Sequence, residues 1–270
     1  MKKVALITGA SAGMGKETAK LLARNGYIVY SAARRIAQMQ DLKNQGIRVL
    51  SMDVSDDASM RKGVDEIIKA EGRIDVLVNN AGFGSYGAIE DVAIEDARYQ
   101  LEVNVFGLAR LTQLVLPYMR KQGSGKIVNV TSIGGKMATP MGGWYHASKF
   151  AVEGLSDSLR LEVKPFGVDV ILIEPGGVKT EWAGIAMDSM VKVSGHTAYQ
   201  SMANKALSVG RGGQKNYAEP SLIAELILKA ITAKKPKARY AAGYMSGIIL
   251  FMKKWLSDGM FDRMIMSQMK

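Results

Sequence analysis

Tyr145 and Lys149 stand four residues apart in the run Tyr145-His146-Ala147-Ser148-Lys149. In a helix that spacing puts both on one face and brings an ammonium near a phenol. A free tyrosine titrates near about 10, and each unit of lowering takes ~1.4 kcal/mol. Bringing it near neutrality takes about 4 kcal/mol, the scale of one unit charge ~4 Å away at an effective dielectric of ~20. The expectation is a lysine-lowered phenol that gives and takes a proton. Singly, each candidate has a bland reading: Tyr145 a half-buried aromatic, Lys149 a surface charge, Ser132 a turn residue, Asn104 a helix-distorting polar group. Their joint placement near the ends of apolar runs argues for chemistry. His146 reads as structural, because no carboxylate or serine completes an identifiable triad with it.

A second constellation is Thr8-Gly9-Ala10-Ser11-Ala12-Gly13-Met14-Gly15, spaced G-x-x-x-G-x-G after the first apolar run. Glycines let the backbone turn tightly and approach a pyrophosphate, which meets the free N–H groups of the following helix. Any tight strand-to-helix connection could use three glycines; their place after the first strand favours a dinucleotide. The second apolar run ends Ala32-Ala33-Arg34-Arg35, where NAD sites often carry an acid and NADP sites an arginine. Guanidinium groups hold a 2′-phosphate bidentately, so NADP(H) is expected, with Arg34 the first choice and Arg35 beside it. The plain alternative is two solvated arginines at a helix start.

These residues must be positioned by a frame, and the frame is legible as short apolar runs: Val4 to Ile7, Ile28 to Ala33, Ile47 to Met52, Ile74 to Val78, Lys126 to Val130 and Val168 to Ile173. Runs that do not alternate with polar residues suit strands covered on both faces, with helical stretches between them. The expected fold is α/β: a doubly wound parallel sheet (Rossmann fold) in three α/β/α layers, one domain over 1–270. Asp53, Asn79 to Gly82, Thr131-Ser132 and Glu174-Pro175-Gly176 follow strands, so distant segments converge on one rim. From 180 to 214 the pattern weakens into Met, Ala, Ser and Gly, which reads as a substrate lid or as a poorly patterned pair of helices. Residues 245–270 form a C-terminal extension, for which internal packing or self-association is preferred to contact with a membrane surface.

Composition narrows the classes further. The chain has 270 residues, 47% hydrophobic and 23% charged, which suits an ordinary globular domain. With no cysteine and only His146 and His196, neither a disulfide framework nor a metal site is expected. The first ten residues could pass for a short signal peptide, but they flow into the glycine turn and read as a first strand, and a cytoplasmic location is expected. The net charge of +11 is spread over scattered lysines and arginines without interleaved aromatics. That favours solvated surface charge over a nucleic-acid surface, so no nucleic-acid partner is expected, and it is compatible with a polyanionic cofactor.

Taken together, the glycine turn, Asn79-Asn80-Ala81-Gly82, Asn104, Ser132, the Tyr145 to Lys149 motif and Pro175-Gly176 resemble the short-chain dehydrogenase/reductase family in order and spacing. The resemblance covers roughly Lys3 to Thr180, and Arg239-Tyr240 followed by Gly243 looks like the family's last strand. It implies a cofactor site of Gly9, Ser11, Gly13, Met14, Gly15, Arg34 and Arg35. Asp53 and Val54 would lie beside the adenine, and Asn80, Ala81 and Gly82 would form the floor. Pro175, Gly176, Val178 and Thr180 would hold the carboxamide. It also implies a catalytic tetrad. Tyr145 would exchange the proton, Ser132 would hold the substrate oxygen, Lys149 would bind the ribose and lower the phenol, and Asn104 would anchor a relay water. Met137, Pro140, Met141, Trp144, Trp182, Ile185, Met187, Met190 and Val191 would line an apolar pocket or simply pack. The expected activity is hydride transfer between NADP(H) and a hydrophobic ketone or secondary alcohol, steroid-like, retinoid-like or aliphatic, by a homodimer or homotetramer. The alternative is a catalytically silent NADP-binding sensor or scaffold, although Tyr145 and Lys149 are both retained.

Overall fold

The structure is a computed structural model that describes residues 2–269. The chain runs β1 (Val4–Thr8), α1 (Gly13–Arg24), β2 (Ile28–Ala33), α2 (Gln40–Asn44), β3 (Arg48–Ser51), α3 (Asp57–Glu71) and β4 (Val76–Asn79). It continues through α4 (Ile94–Leu101), α5 (Leu108–Gln122), β5 (Gly125–Val130), α6 (Gly143–Val163) and β6 (Val168–Pro175). The last part is α7 (Glu181–Ser194), α8 (Gln200–Gln214), α9 (Pro220–Thr232), β7 (Arg239–Ala242), α10 (Ser246–Trp255) and α11 (Asp258–Ser267).

The seven strands form one sheet in the order β3-β2-β1-β4-β5-β6-β7, and every pairing is parallel. The winding reverses between β1 and β4, where Ala5, Leu6 and Ile7 pair with Val76, Leu77 and Val78. A crevice therefore opens at the carboxyl ends of those two strands.

The period of two along each strand divides the apolar residues between two cores. Ala5, Ile7, Val76, Val78, Val128 and Ile171 pack on one face, with Leu22 of α1 and Ile227 of α9. Leu6, Leu77, Ile127 and Val170 pack on the other, with Ile67 of α3 and Leu111 of α5. Both faces are covered, which is why the strands read as unbroken apolar runs.

The helices that frame the crevice have recognisable ends. Asp56 caps α3 by accepting from the Ala58 N–H at 3.0 Å, and Gly72 ends that helix at φ 71°. Gly123 closes α5 at φ 65°. Between α4 and α5 the helix widens into a π segment over Glu102–Gly107, where a Cβ on Gly107 would stand 2.1 Å from the Val54 carbonyl oxygen. Only glycine lets this helix press against the end of β3. Residues 180–214 are a helical pair, α7 and α8, packed through Met190 and Ala203. The terminal helices α10 and α11 leave Ile248, Phe251, Trp255 and Met260 exposed, so these side chains do not pack into the chain's own core.

The first strand is also pinned by a charge. Asp75, buried just before β4, accepts from the Val4 N–H at 2.8 Å and from the Arg73 Nε at 2.9 Å. Replacing Asp75 by alanine strands a buried N–H and the guanidinium beside it, at a cost of roughly 1–3 kcal/mol. Urea denaturation of Asp75→Ala is expected to show a lower midpoint at unchanged slope; an unchanged midpoint contradicts this role.

Candidate active site

The crevice is a cleft of about 740 Å³ that runs from the glycine turn to Tyr145. Its first end is built by the turn after β1. Gly9 and Gly13 have φ of 65° and 54°, values that L side chains rarely adopt. A Cβ on Gly13 would meet Thr180 Cγ2 at 2.9 Å, and one on Gly15 would meet the Gly9 carbonyl oxygen at 2.6 Å. Gly15 thus lies behind the turn and off the cleft wall, where it lets α1 seat. Asn80 locks the arrangement by donating to the Thr8 and Gly9 carbonyls at 2.9 and 3.2 Å. Thr8 Oγ1 in turn accepts from the Asn80 and Ala81 N–H groups, each at 3.1 Å. Because Ala12 provides no capping side chain, the first N–H groups of α1 are left to the cleft. This cradle fits a pyrophosphate, as the cofactor reading requires.

The two arginines of the charged rim, both in the cleft lining, take different partners. Arg34 turns toward Tyr99, whose hydroxyl accepts at 2.9 Å, with Asp53 at 3.9 Å. Arg35, ranked second from sequence, is the one at the glycine turn: its Nη2 donates to Ser11 Oγ at 3.3 Å. Asp53 is oriented by Ser55, which donates to it through N–H and Oγ at 2.9 and 2.7 Å. Ser11, Met14, Asp53, Val54, Ala81, Gly82, Pro175, Gly176, Val178 and Thr180 all line the cleft. The loop after β6 is held open-edged by the C-terminal segment, since a Cβ on Gly176 would lie 2.3 Å from the Tyr244 carbonyl oxygen.

At the inner end stand Ser132, Tyr145 and Lys149. Tyr145 and Lys149 are buried, and the ammonium lies 5.9 Å from the centre of the phenol ring. Lys149 Nζ donates to the Val130 carbonyl at 3.0 Å. Within the protein chain itself, burial acts against the lowering that the spacing suggested. Burial pushes Tyr145 up to about 12, with only the hydrogen-bonded Ser132 hydroxyl pulling it back. Burial likewise pushes Lys149 down to about 8, opposed by the charge of Glu153. Desolvation disfavours both charged forms, and here it outweighs the attraction the spacing suggested.

Asn104 does not line the cleft. It is buried in the π segment, accepting from the Phe83 N–H at 3.0 Å and donating to the Phe83 carbonyl at 2.9 Å and to Ser148 Oγ at 3.0 Å. Ser148 then donates to the Tyr145 carbonyl at 2.7 Å, so Asn104 grips the helix that carries Tyr145. With both amide hydrogens committed, a relay water at Asn104 would have to be held by an oxygen. His146 is structural as read: Nδ1 faces the Gly134 carbonyl at 2.9 Å and Nε2 accepts from the Thr139 N–H at 3.0 Å. Burial lowers its pKa, which suits a neutral ring.

Of the four principal pocket candidates, Met137 and Trp182 line the cleft and Met141 and Trp144 do not. Met141 sits at φ 67° on a turn that throws it against Met190 of α7 and Ala203 of α8. Met187 packs on the α8 side, where a Cβ on Gly210 would meet its Cε at 2.5 Å. Ile185 reaches the cleft, whereas Pro140, Met190 and Val191 do not. The wall facing Tyr145 includes an aromatic that sequence reasoning missed, Tyr86. Its ring centre is 5.7 Å from those of both Tyr145 and Trp182, which are 4.9 Å from each other. The available signal was Gly84 and Gly87 around it, since Cβ atoms there would strike Trp182 at 2.7 Å and Val193 at 2.6 Å.

Also missed was a buried charge cluster beneath the site. Glu153 accepts from Thr131 Oγ1 at 2.7 Å and from Arg239 Nε at 3.0 Å, and pairs with Lys136 at 2.6 Å. Glu174, at the end of β6, lies 3.3 Å from Arg239. Burial, with the Glu153 charge next, pushes Glu174 up to about 7 from its usual 4.5. The folded chain thus retains a proton that the unfolded chain has released, so this group's stabilisation is lost as pH rises from about 4.5 to about 7. In Glu174→Gln that pH dependence is expected to diminish, read as a smaller drop in Tm between pH 5 and pH 8 than in the parent. An identical drop contradicts it.

With the geometry in hand, comparison with known proteins is informative. A family model described as short chain dehydrogenase matches residues 3–189. A 3-ketodihydrosphingosine reductase of Bacteroides thetaiotaomicron is 39% identical over 96% of this chain and 95% of its own. An NADPH-dependent 3-dehydrocapnine reductase of Ornithobacterium rhinotracheale is 33% identical over 99% of this chain and 98% of its own. A solved short-chain dehydrogenase of Streptomyces avermitilis superposes with a TM-score of 0.83 at 32% identity, covering 99% of this chain and 96% of the other.

Proposed function

The chain belongs to the short chain dehydrogenase family, and from that premise we propose that it uses NADPH to reduce the ketone of a long-chain amphiphile, with Tyr145 giving the proton. The coarser activity, oxidoreduction of an alcohol or ketone with a nicotinamide dinucleotide, follows from membership. The observation that carries the finer reading is that Ser132, Tyr145 and Lys149 stand together at the inner end of the cleft, against a wall of Tyr86, Met137, Trp182 and Ile185.

When bound, reduced nicotinamide supplies a hydride to the carbonyl carbon. The chain's residues do the rest. Ser132 orients the carbonyl oxygen by donating to it, a role compatible with its present bond to the Pro175 carbonyl, which at 3.4 Å is long and easily exchanged. Tyr145 Oη–H breaks as the O–H bond of the product alcohol forms, and the phenolate left behind is attracted by the Lys149 ammonium. With Lys149 held to about 8, the ammonium is also able to return a proton to the phenolate. The protonated phenol is the form that donates to a carbonyl oxygen in reduction, and its phenolate is the form that accepts from a hydroxyl in oxidation.

For cofactor choice, Ser11 and Arg35 form the pair that would hold a 2′-phosphate, with Arg34 and Asp53 nearer the adenine side. The first-turn N–H groups of α1 would take the pyrophosphate, Lys149 the ribose, and Pro175 to Thr180 the carboxamide. For the substrate, the walls beside Tyr145 are Tyr86, Met137, Trp182 and Ile185, a lining suited to an alkyl chain. A 3-ketodihydrosphingosine reductase and a 3-dehydrocapnine reductase among the relatives support an aliphatic ketone. A 17-beta-hydroxysteroid dehydrogenase type 1 of Homo sapiens, 36% identical over 88% of this chain, keeps a steroid-like ketone as the second reading. Self-association is supported by the exposed Phe150 and Leu161 on α6.

Purified protein, NADPH and 3-keto long-chain bases test the proposal directly: saturable NADPH consumption is expected in the parent. Tyr145→Phe is expected to lose on the order of 10²–10⁴ in kcat while the dissociation constant for NADPH stays within about twofold. Turnover retained in Tyr145→Phe would remove the phenol from this role.

A further inference from the structure

No sequence motif singles out Glu181, the first residue of α7, yet it reaches across the mouth of the cleft. Its Oε2 accepts from Arg35 Nη2 at 3.2 Å. That same Nη2 donates to Ser11 Oγ at 3.3 Å, so one guanidinium nitrogen joins the glycine turn to the start of the lid. The contact stands at the edge of a second hollow, lined by Ser11, Gly13, Lys16 and Glu181, that opens beside the main cleft. The other cations here have different partners: Lys16 pairs with Asp41 at 2.8 Å, and Arg34 turns to Tyr99 and Asp53. Among the described residues, Arg35 is thus the guanidinium at this turn whose carboxylate partner comes from the lid.

We propose that Glu181 is a cofactor-specificity residue: its carboxylate competes with the 2′-phosphate for Arg35, so NADP(H), unlike NAD(H), must displace the Arg35–Glu181 pair to bind. This rests on the reading of Ser11 and Arg35 as the phosphate pair. The chemistry follows from charge. A 2′-phosphate and a carboxylate on one guanidinium repel each other, and the phosphate, with more charge and three terminal oxygens, is the stronger acceptor for the planar fork. The incumbent pair is weak enough to yield, because both side chains are about half exposed, at 51% and 55%.

The exchange also has a reach beyond the adenosine end. Glu181 is followed by Trp182, whose ring packs 4.9 Å from that of Tyr145, and preceded by Thr180, which sits against Gly13. Displacing the Glu181 carboxylate removes a tether from the turn of helix that holds the aromatic wall of the substrate pocket. Glu181 thereby opposes the phosphorylated cofactor and couples its binding to the lid.

The test is a double-mutant cycle on cofactor binding, read as dissociation constants for NADP⁺ and NAD⁺ by titration of the intrinsic tryptophan fluorescence or by calorimetry. Four proteins are compared: parent, E181Q, R35A and R35A/E181Q. The expectation is that E181Q tightens NADP⁺ by roughly two- to fivefold, the scale of releasing an exposed ion pair, and leaves NAD⁺ unchanged. R35A should weaken NADP⁺, and adding E181Q to R35A should bring no further tightening. If R35A weakens NADP⁺ but E181Q leaves it unaltered, the competition is wrong and the phosphate pair stands. If E181Q tightens NADP⁺ and NAD⁺ equally, or still tightens NADP⁺ in the R35A background, Glu181 does not act through Arg35 and the proposal is overturned. If R35A leaves NADP⁺ unaffected, the phosphate pair itself is misassigned and the proposal falls with it.

Discussion

Burial of a phenol and an ammonium side by side at the end of a parallel sheet is the constraint on which this site depends. Burial disfavours the charged form of each group, and the two directions are visible: Tyr145 pushed up to about 12, Lys149 pushed down to about 8. What makes the arrangement tolerable is that the polar groups next to the pair are engaged with one another. Lys149 is bound to the Val130 carbonyl, Ser148 to Tyr145 and Asn104, and Thr131 to the buried Glu153. A buried polar cluster of this kind holds its geometry because a loosened member would be left without a partner.

The frame serves the same end. Parallel strands carry their carboxyl ends to one rim, and glycines let the backbone of that rim approach more closely than any side chain would permit. Gly15 under Gly9, Gly107 against Val54 and Gly176 against Tyr244 are three such contacts, each near 2–3 Å from a hypothetical Cβ. They bring the cofactor cradle, the end of β3 and the loop after β6 around one cleft. A larger residue at any of them would push apart two of the elements that shape it.

Much of this was legible in the sequence because double-sided burial writes itself as unbroken apolar runs. Val4 to Ile7 and Ile28 to Ala33 correspond to strands at Val4–Thr8 and Ile28–Ala33, and the parallel sheet follows from their order. Other features were illegible for physical reasons. The direction of the Tyr145 shift depends on desolvation, which spacing does not encode. That Arg34 turns to Tyr99 while Arg35 turns to Ser11 was not legible, because successive residues leaving a strand point to different sides. Met141 was misplaced because its positive φ turns the side chain away from the cleft, and α7 and α8 were blurred by Met, Ala and Gly with little periodic contrast. Glu181 and the Glu153–Glu174 cluster depend on contacts between distant segments, which no local pattern announces.

The central claim is that the chain keeps Tyr145 protonated by burial, ready to give its proton to a bound ketone. A titration of tyrosine labelled with ¹³C at Cζ, followed by NMR and assigned by the resonance missing from Tyr145→Phe, reads that protonation state in the free protein. A phenol held at about 12 keeps its neutral-phenol signal through pH 10, where an unperturbed tyrosine, titrating at about 10, is half shifted. A signal already in its phenolate position near pH 7 would contradict it.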